Sequence, residues 1–329
     1  MQNNGSTWRK WDLHIHTPST KLNNQYKDTD ENLGNFIDIL EKSDVEVFGI
    51  TDYFNIESYN TFIQKFKSKH PKSIKVFFPN IEFRLDSKNS RDDHIQMHII
   101  FSNEPTTVNK ITNFLNRLEL VSTANDGTKK YCCENDLNCI GYDKAMVSKQ
   151  ALLDALASNF SREEYMIIGV ANGYGSFRPN SNNDGRGSEF ANELDKSCDL
   201  FFGNKKNVDF FLNKNKSPRK GLGLPPKPVL SGCDAHSFIE IEKKLGNNCT
   251  ENNDTSEITW IKADPTFEGL KQIIQEPEDR VKIQETKPDN DKTPYSVIKS
   301  INFTSETENF NKVFSLEGYF ITLKDHVYF

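Results

Sequence analysis

No stretch of this 329-residue chain comes near the roughly 18 consecutive apolar residues of a membrane-spanning helix. Its opening residues, MQNNGSTWRKWD, hold no apolar core of the secretory kind, so no signal peptide is expected. Positive charge is not in excess either. A net charge of −6 excludes a broadly basic nucleic-acid binder of the histone type and leaves room only for a local basic patch. Cysteine is sparse, and Cys132, Cys133, Cys139, Cys198, Cys233 and Cys249 follow neither zinc-motif nor disulfide-scaffold spacing. Reduced thiols in a cytoplasmic protein are the expectation, with zinc at Cys132, Cys133 and Cys139 as the alternative. No GxxxxGKS/T occurs, so the chain carries no P-loop of its own, and GYG (173–175) and GLG (221–223) read as loop glycines rather than dinucleotide signatures.

What is present is aromatic and β-rich. The 24 phenylalanines are ample for a core. Short apolar runs recur at 11–16, 47–51, 74–83, 95–101, 165–171, 198–203 and 228–233. Between them lie helical patterns. Residues 31–43 place Leu33, Phe36, Ile37 and Leu40 at helical spacing, 104–120 do the same with Val108, Ile111, Leu115 and Leu118, and 148–160 open with Ser148 as an N-cap. About seven alternating units predict parallel βαβ connections and a closed or nearly closed α/β barrel. Stretches 172–188 and 246–257 read as surface loops. Residues 204–228 carry Lys205, Lys206, Lys214, Lys216, Arg219, Lys220 and Lys227 against one acid, Asp209; this is either a solvated loop or a phosphate-facing patch. After a polar linker at 284–294, residues 295–329 turn β-like and stop inside an apolar run, which leads us to expect the front part of a longer polypeptide.

Histidine is scarce, seven in all, yet two sit one residue apart in WDLHIHTPST. In a regular strand, Asp12, His14 and His16 share a face and Leu13 and Ile15 the other, so two imidazoles about 7 Å apart could converge on one cation. An HxH pair alone is equally a hydrogen-bonded pair. The rest of the chain decides between the two. DDHIQMHIIF aligns His94 and His98 with Gln96 between them, GCDAH aligns Asp234 with His236, and Glu82 and Asp52 close two further strands. In α/β barrels the strand ends converge on one face, where sites are built. So many buried imidazoles and carboxylates are costly without a cation. A mixed His and carboxylate set suits Zn, Mn or Fe rather than Ca or Mg.

Taken together, DLHIHT, GITDYF, PNIEF, HIIF and SGCDAH resemble the successive motifs of the PHP (polymerase and histidinol phosphatase) superfamily, over residues 8–283. The resemblance implies a distorted (β/α)7 barrel, one to three divalent metal ions and phosphoester hydrolysis. It implies His14, His16, Glu82 and Asp234 as ligands of one metal, with the glutamate bridging to another, and His98 and His236 as ligands of the remaining positions. The family pattern is broken at three places, where Leu22, Tyr53 and Asn172 stand in place of histidines. Asp52, Tyr53, His94 or Asn172 could complete those sites.

Asp52, Tyr53 and Arg186 are the candidate catalytic residues. Tyr53 would orient a phosphate or donate a proton, and Arg186, Arg178 or the lysines at 205–220 would neutralise phosphoryl oxygens. WRKWDLHIHTPST and WIKADPTFEGLKQII resemble the TrlF-like subgroup, whose PHP domain is joined to an AAA/ABC-like ATPase module. On that likeness the substrate is nucleic acid or a nucleotide, the partner an ATPase module in the same or another chain, and the setting defence against foreign DNA; the sequence leaves open whether the chain forms an oligomer. A small-molecule phosphatase and a PHP domain without turnover are the alternatives.

Overall fold

The computed structural model describes residues 7–123, 127–177, 185–214, 217–246 and 257–288, without the side chains of 185–188. Chain contacts separate Met1–Pro288 from Asp289–Phe329, and only the first unit is described below. The β-like run expected over 295–329 and Cys249 therefore lie outside the described residues.

The first half runs β1 (Trp8–His16), α1 (Asp30–Lys42), β2 (Val47–Tyr53), α2 (Glu57–Lys69), β3 (Val76–Lys88), β4 (His94–Phe101) and α3 (Pro105–Leu115). It continues through α4 (Glu134–Ile140), α5 (Lys149–Asn159), β5 (Tyr165–Val170), α6 (Gly185–Ser197), β6 (Leu200–Phe202), α7 (Lys205–Phe211) and α8 (Pro218–Gly221). The last part comprises β7 (Val229–Leu230), α9 (Phe238–Lys244), β8 (Thr259–Lys262), α10 (Phe267–Gln272), α11 (Pro277–Arg280) and β9 (Val281–Ile283). Helix α1 shows how local sequence makes these elements. Thr29 accepts from the Asn32 amide at the N-terminus, Asp30 and Glu31 meet the positive end of the helix dipole and Lys42 the negative end. Leu33, Phe36, Ile37 and Leu40 are the buried stripe. Ser148 does sit at the N-cap of α5, but its side chain makes no capping bond. Among the described residues, no helix is long and apolar enough to cross a membrane.

Each of the seven expected apolar runs is a strand. The described strands form one sheet in the order β7-β6-β5-β4-β3-β2-β1-β8-β9. The ends of that order approach one another. Just past β7, the Ser231 amide donates to Thr259 Oγ1 at 2.7 Å, Thr259 Oγ1 donates back to the Ser231 carbonyl at 3.0 Å, and the Asp234 amide donates to the His14 carbonyl at 2.9 Å. The result is the expected nearly closed α/β barrel. A cluster drawn from Trp11, Leu13, Val47, Phe78, Ile100, Ile168, Leu200, Leu230 and Ile261 fills its interior, with Leu270 from α10 packed against it. A larger, phenylalanine-rich cluster joins the outer face of the sheet to the helices.

The expectation of uniformly parallel strands is corrected at two boundaries. β3 pairs antiparallel with β4, and β4 antiparallel with β5. The link from β3 to β4 is a tight turn, in which the Asn89 amide donates to Asp93 O and the Asp92 amide to Asn89 O. A link that short can make only a hairpin, since a parallel crossover needs a dozen residues or so. β8 and β9 add an antiparallel flap beside β1.

The basic stretch is also reassigned in part. Arg219 is fully buried and cannot belong to a phosphate-facing patch. Its guanidinium grips both oxygens of buried Asp195 at 2.7 and 2.8 Å and donates to the carbonyls of Phe211 and Pro225 and to Asn213 Oδ1. Lys227 Nζ lies 3.2 Å from the same carboxylate. A buried carboxylate must be neutralised, and two of the basic residues serve that need. Lys214 pairs with Glu278 at 2.8 Å, Lys220 is exposed, and Lys216 lies outside the described residues.

Asp195→Ala is expected to lower unfolding free energy by about 3–5 kcal/mol, because it strands the charges of Arg219 and Lys227 in the core. Urea denaturation measures this. A loss within the range of ordinary surface substitutions would mean that the pair is dispensable.

Candidate metal centre

The site begins with a break in the pattern of β1. Trp11 opposes Val47 and Asp12 opposes Phe48, but Ile15 opposes Ile50, so β1 spends one residue more than β2 between these pairs. This β-bulge reverses the alternation of side chains. Leu13 joins Trp11 in the barrel interior, and His14 and His16 turn inward after it. The expectation that Asp12 shares their face is corrected. The Asp12 carboxylate accepts instead from the amides of His14, Cys233 and Gly246, at 3.2, 3.2 and 2.8 Å. Two glycines make room for the bulge. A Cβ on Gly49 would lie 2.1 Å from Leu13 O, and a Cβ on Gly232 would lie 2.5 Å from His14 Cβ.

The other members arrive by register. Tyr53, Glu82, His98 and Ile168 stand side by side across β2, β3, β4 and β5. Asp234 follows β7 with φ of +46°, a left-handed backbone uncommon for a residue other than glycine and of the kind found at functional sites.

The donor atoms converge. His14 Nε2 lies 3.3 Å from His16 Nε2, 3.1 Å from Asp234 Oδ1 and 3.7 Å from Glu82 Oε2. His16 Nε2 lies 3.4 Å from Asp234 Oδ1 and 3.7 Å from Glu82 Oε2. Ligand atoms about 2.1 Å from a tetrahedral ion sit about 3.4 Å from each other, so this spacing fits a single cation. His14, Glu82 and His98 form a second such group, with His98 Nε2 3.9 Å from Glu82 Oε2. The Cys132, Cys133 and Cys139 group forms none among the described residues.

Hydrogen bonds behind the ring nitrogens fix which one is free. Thr20 Oγ1 donates to Asp52 Oδ1 at 3.2 Å, so it accepts from His16 Nδ1 at 3.1 Å and leaves the His16 Nε2 lone pair pointing inward. Asn80 uses its Nδ2 on Leu13 O and Thr51 Oγ1, so its Oδ1 accepts from His98 Nδ1 at 3.3 Å. His98 Nε2 is then buried without a hydrogen-bond partner. Such an orphaned acceptor is costly unless something positive faces it. Gln96 Nε2 donates to Glu82 Oε1 at 2.5 Å and orients that carboxylate. Such support is what metal ligands typically need.

The electrostatics carry the same demand. Burial opposes a charged His14, yet Asp234 and Glu82 outweigh it and lift its pKa to about 10. Asp234 pays for its partial loss of solvent, but His14 and His16 outweigh this and hold it well below the usual carboxylate range. Burial, reinforced by His236 and His14, pushes His16 down to about 3. Burial, then the neighbouring His14, takes His98 well below its ordinary value. Burial pushes Glu82 up against the pull of His14. These shifts favour the proton on His14 and the neutral, metal-ligating form of His16 and His98.

His236 and Tyr53 form the adjoining wall. The His236 ring stacks on His16 with centroids 4.1 Å apart. Its Nδ1 donates to Asp234 O at 3.0 Å, and its Nε2 accepts from Tyr53 Oη at 3.1 Å. Among the described residues, His236 Nε2 joins none of the ligating groups. Burial pushes Tyr53 upward, so its hydroxyl stays protonated. Both residues line a cleft of about 400 Å³ with His14, Glu82, Asn172 and Asp234.

Asp52 does not reach the cleft. Buried, it accepts from the amides of Tyr53 and Lys21 and from Thr20 and Asn55, so it positions His16 rather than touching a ligand. Its burial lifts its pKa to about 6 in spite of those bonds. His94 turns away to Leu85 O, and Leu22 packs against the outer core. Asn172 Oδ1 is buried without a partner at the cleft wall, where the family pattern has a histidine. The Arg186 side chain and Arg178 lie outside the described residues, although Arg186 is in the first turn of α6. Reading the sequence did not single out Thr20 or Asn80, because an acceptor behind an imidazole leaves no spacing rule. Gln96 stood out only as the residue between two histidines.

No protein-family model matches the chain, and no curated protein matches its sequence. Solved structures do resemble it. One is a two-domain protein from Bacteroides vulgatus, described as containing a predicted PHP-like metal-dependent phosphoesterase; identity is 10%, the TM-score 0.46, and the match covers 84% of this chain and 65% of that one. Another is a candidate metal-dependent phosphoesterase from Bifidobacterium adolescentis, at 11% identity and a TM-score of 0.38, covering 74% of this chain and 93% of that one. A third is PsfC from Pseudomonas syringae, at 12% identity and a TM-score of 0.38, covering 82% and 98%. The chain thus spans 65% of the length of the Bacteroides protein. Resemblance at this level carries no weight for function, which rests on the site's own atoms.

Thr20→Val removes the acceptor behind His16 and frees its tautomer. Metal affinity, measured by competition with a chromophoric chelator, is expected to fall about 10- to 100-fold with the fold retained. Unchanged affinity would show that His16 does not depend on Thr20.

Proposed function

We propose that this chain is a PHP-type metal-dependent phosphoesterase. Its reading as a phosphodiesterase acting on nucleic acid or nucleotides beside an ATPase module, in defence against foreign DNA, follows from the likeness of WRKWDLHIHTPST and WIKADPTFEGLKQII to the ATPase-linked subgroup. The observation that carries the phosphoesterase reading is the buried, partnerless His98 Nε2 beside two overlapping triads of donor atoms, His14/His16/Asp234 and His14/Glu82/His98, each at metal-ligand spacing.

His14, His16 and Asp234 would hold one ion, with Glu82 Oε2 3.7 Å from both imidazoles, and His14, Glu82 and His98 form the group that would hold a further one. Zn, Mn or Fe suits this donor set. Bound there, a divalent ion supplies Lewis acidity to water and to a phosphoryl oxygen. The described lining of the cleft has two acids, Glu82 and Asp234, and neither lysine nor arginine, so the side chains described there offer no fixed positive charge to a phosphate. Tyr53 keeps its proton and presents a hydroxyl beside the cluster, where it can donate to a phosphoryl oxygen once His236 releases it. His236 steadies Asp234 through its Nδ1. Asp52, held apart from the cleft, keeps His16 in its ligating tautomer through Thr20.

Purified protein is expected to retain divalent metal and to hydrolyse bis-p-nitrophenyl phosphate in its presence, with little action on the monoester. His14→Ala and Asp234→Ala should each lose metal and at least about 100-fold in activity. Preference for the monoester would favour a small-molecule phosphatase. Metal bound without turnover of either ester would mark a domain that keeps the site but not the reaction.

A further inference from the structure

One aromatic residue on the cleft is left unused by this chemistry. Of the two aromatic residues that line it beside Tyr53, Phe202 is buried and engaged, its ring stacked on His14 with centroids 5.1 Å apart. Tyr174 is 60% exposed. Of the large hydrophobic residues that stand out in solvent, Ile74, Val121, Leu222 and Ile239 lie elsewhere, and Tyr174 alone of the five borders the cleft. Among the described residues it has no hydrogen-bond or ring partner.

The strand-end loop that carries it is tied down on both sides. The Gln96 amide donates to Gly175 O at 2.9 Å, Asn89 Nδ2 donates to Ser176 O at 2.8 Å, and the Phe177 amide donates to Val170 O at 3.2 Å. Gln96 is the same residue whose side chain orients Glu82. The backbone next to Tyr174 is therefore anchored to the residue that orients Glu82, which keeps the exposed ring at the edge of the cleft. A ring kept in water at the edge of a concave polar site presents a face for a planar partner. The cleft, about 400 Å³, has room for a phosphate and one further group of base size. Amides of Asn23, Gln96 and Asn172 line the same space and suit hydrogen bonding to a sugar or base edge.

We propose that Tyr174 is a stacking platform for the nucleobase attached to the scissile phosphate. The proposal rests on the phosphoesterase reading and narrows the substrate from nucleic acid or nucleotides in general to an unpaired nucleotide, either free or within a single strand. A base inside a duplex has both faces covered and could not use the platform. Stacking of a base on an aromatic side chain is indifferent to sequence, so recognition here selects unpaired bases without selecting among them.

Two esters with the same reacting bond test it: the p-nitrophenyl ester of thymidine 5′-phosphate, and methyl p-nitrophenyl phosphate, which has no base. With manganese-loaded protein, Tyr174→Ala should raise KM for the thymidine ester about ten- to hundredfold and leave the methyl ester unchanged. Tyr174→Phe should behave as wild type on both. Equal effects on the two esters, or none on the thymidine ester, overturn the platform and leave the phosphoesterase reading standing. If neither ester is cleaved, that reading falls, and the platform is tested by binding alone. Fluorescence of 2-aminopurine riboside 5′-monophosphate should be quenched by wild type and Tyr174→Phe but not by Tyr174→Ala. Absence of quenching by wild type overturns the platform. The same fluorophore inside a single-stranded oligonucleotide separates the two sources: tighter binding there identifies a strand, equal binding a free nucleotide.

Discussion

Three imidazoles and two carboxylates crowded at the mouth of a barrel create a demand for positive charge, and most of the local structure answers to it. Removing Glu82 and His98 from water is costly, and Asp234 adds a second negative charge at hydrogen-bond distance from His14. Asp234 and Glu82 meet part of this demand by favouring the charged form of His14 against its burial. A proton on His14 does nothing for His98 Nε2, which stays buried without a hydrogen-bond partner. A divalent ion in each of the two ligating groups would answer both parts of the arrangement, the His98 nitrogen included.

Placing those atoms requires departures from regular structure. The bulge in β1 lets Leu13 fill the interior while His14 and His16 both reach the cleft. Gly49 and Gly232 clear the two flanks of the bulge, and Asp234 takes a left-handed backbone beyond β7. The antiparallel entry of β4 sets His98 beside Glu82 in the register, with Asn80 behind it. The left-handed backbone at Asp234 is the departure with a local cost, and together these features bring the donor atoms to the cluster.

Support spreads outward from there. Asp52 holds Thr20, Thr20 holds His16, Asn80 holds His98, and Gln96 ties Glu82 to the loop that carries Tyr174. Asp52 illustrates how a side chain that looks catalytic in sequence can serve at one remove. Arg219 illustrates the converse: a residue in a basic, proline-flanked stretch that belongs to the core because Asp195 does.

From the sequence alone, periodicity located the seven strands, the pairing of histidines and acids near strand ends offered a wider set of candidate ligands that included Asp12, Asp52 and His94, and the motif resemblance narrowed it. Those are local properties: strand alternation, helix spacing and residue chemistry are written within a few positions of each other. Tertiary structure decided the rest. The sequence alternation put Asp12 with the histidines, but the bulge, allowed by Gly49 from a neighbouring strand and Gly232 from beyond β7, separated them. The direction of β4 followed from a turn between Asn89 and Asp93, and the inward course of Arg219 from a carboxylate 24 positions away. Which imidazole nitrogen is free, and which carboxylate meets the cleft, depends on contacts between residues distant in the chain, and no spacing along a single segment encodes them.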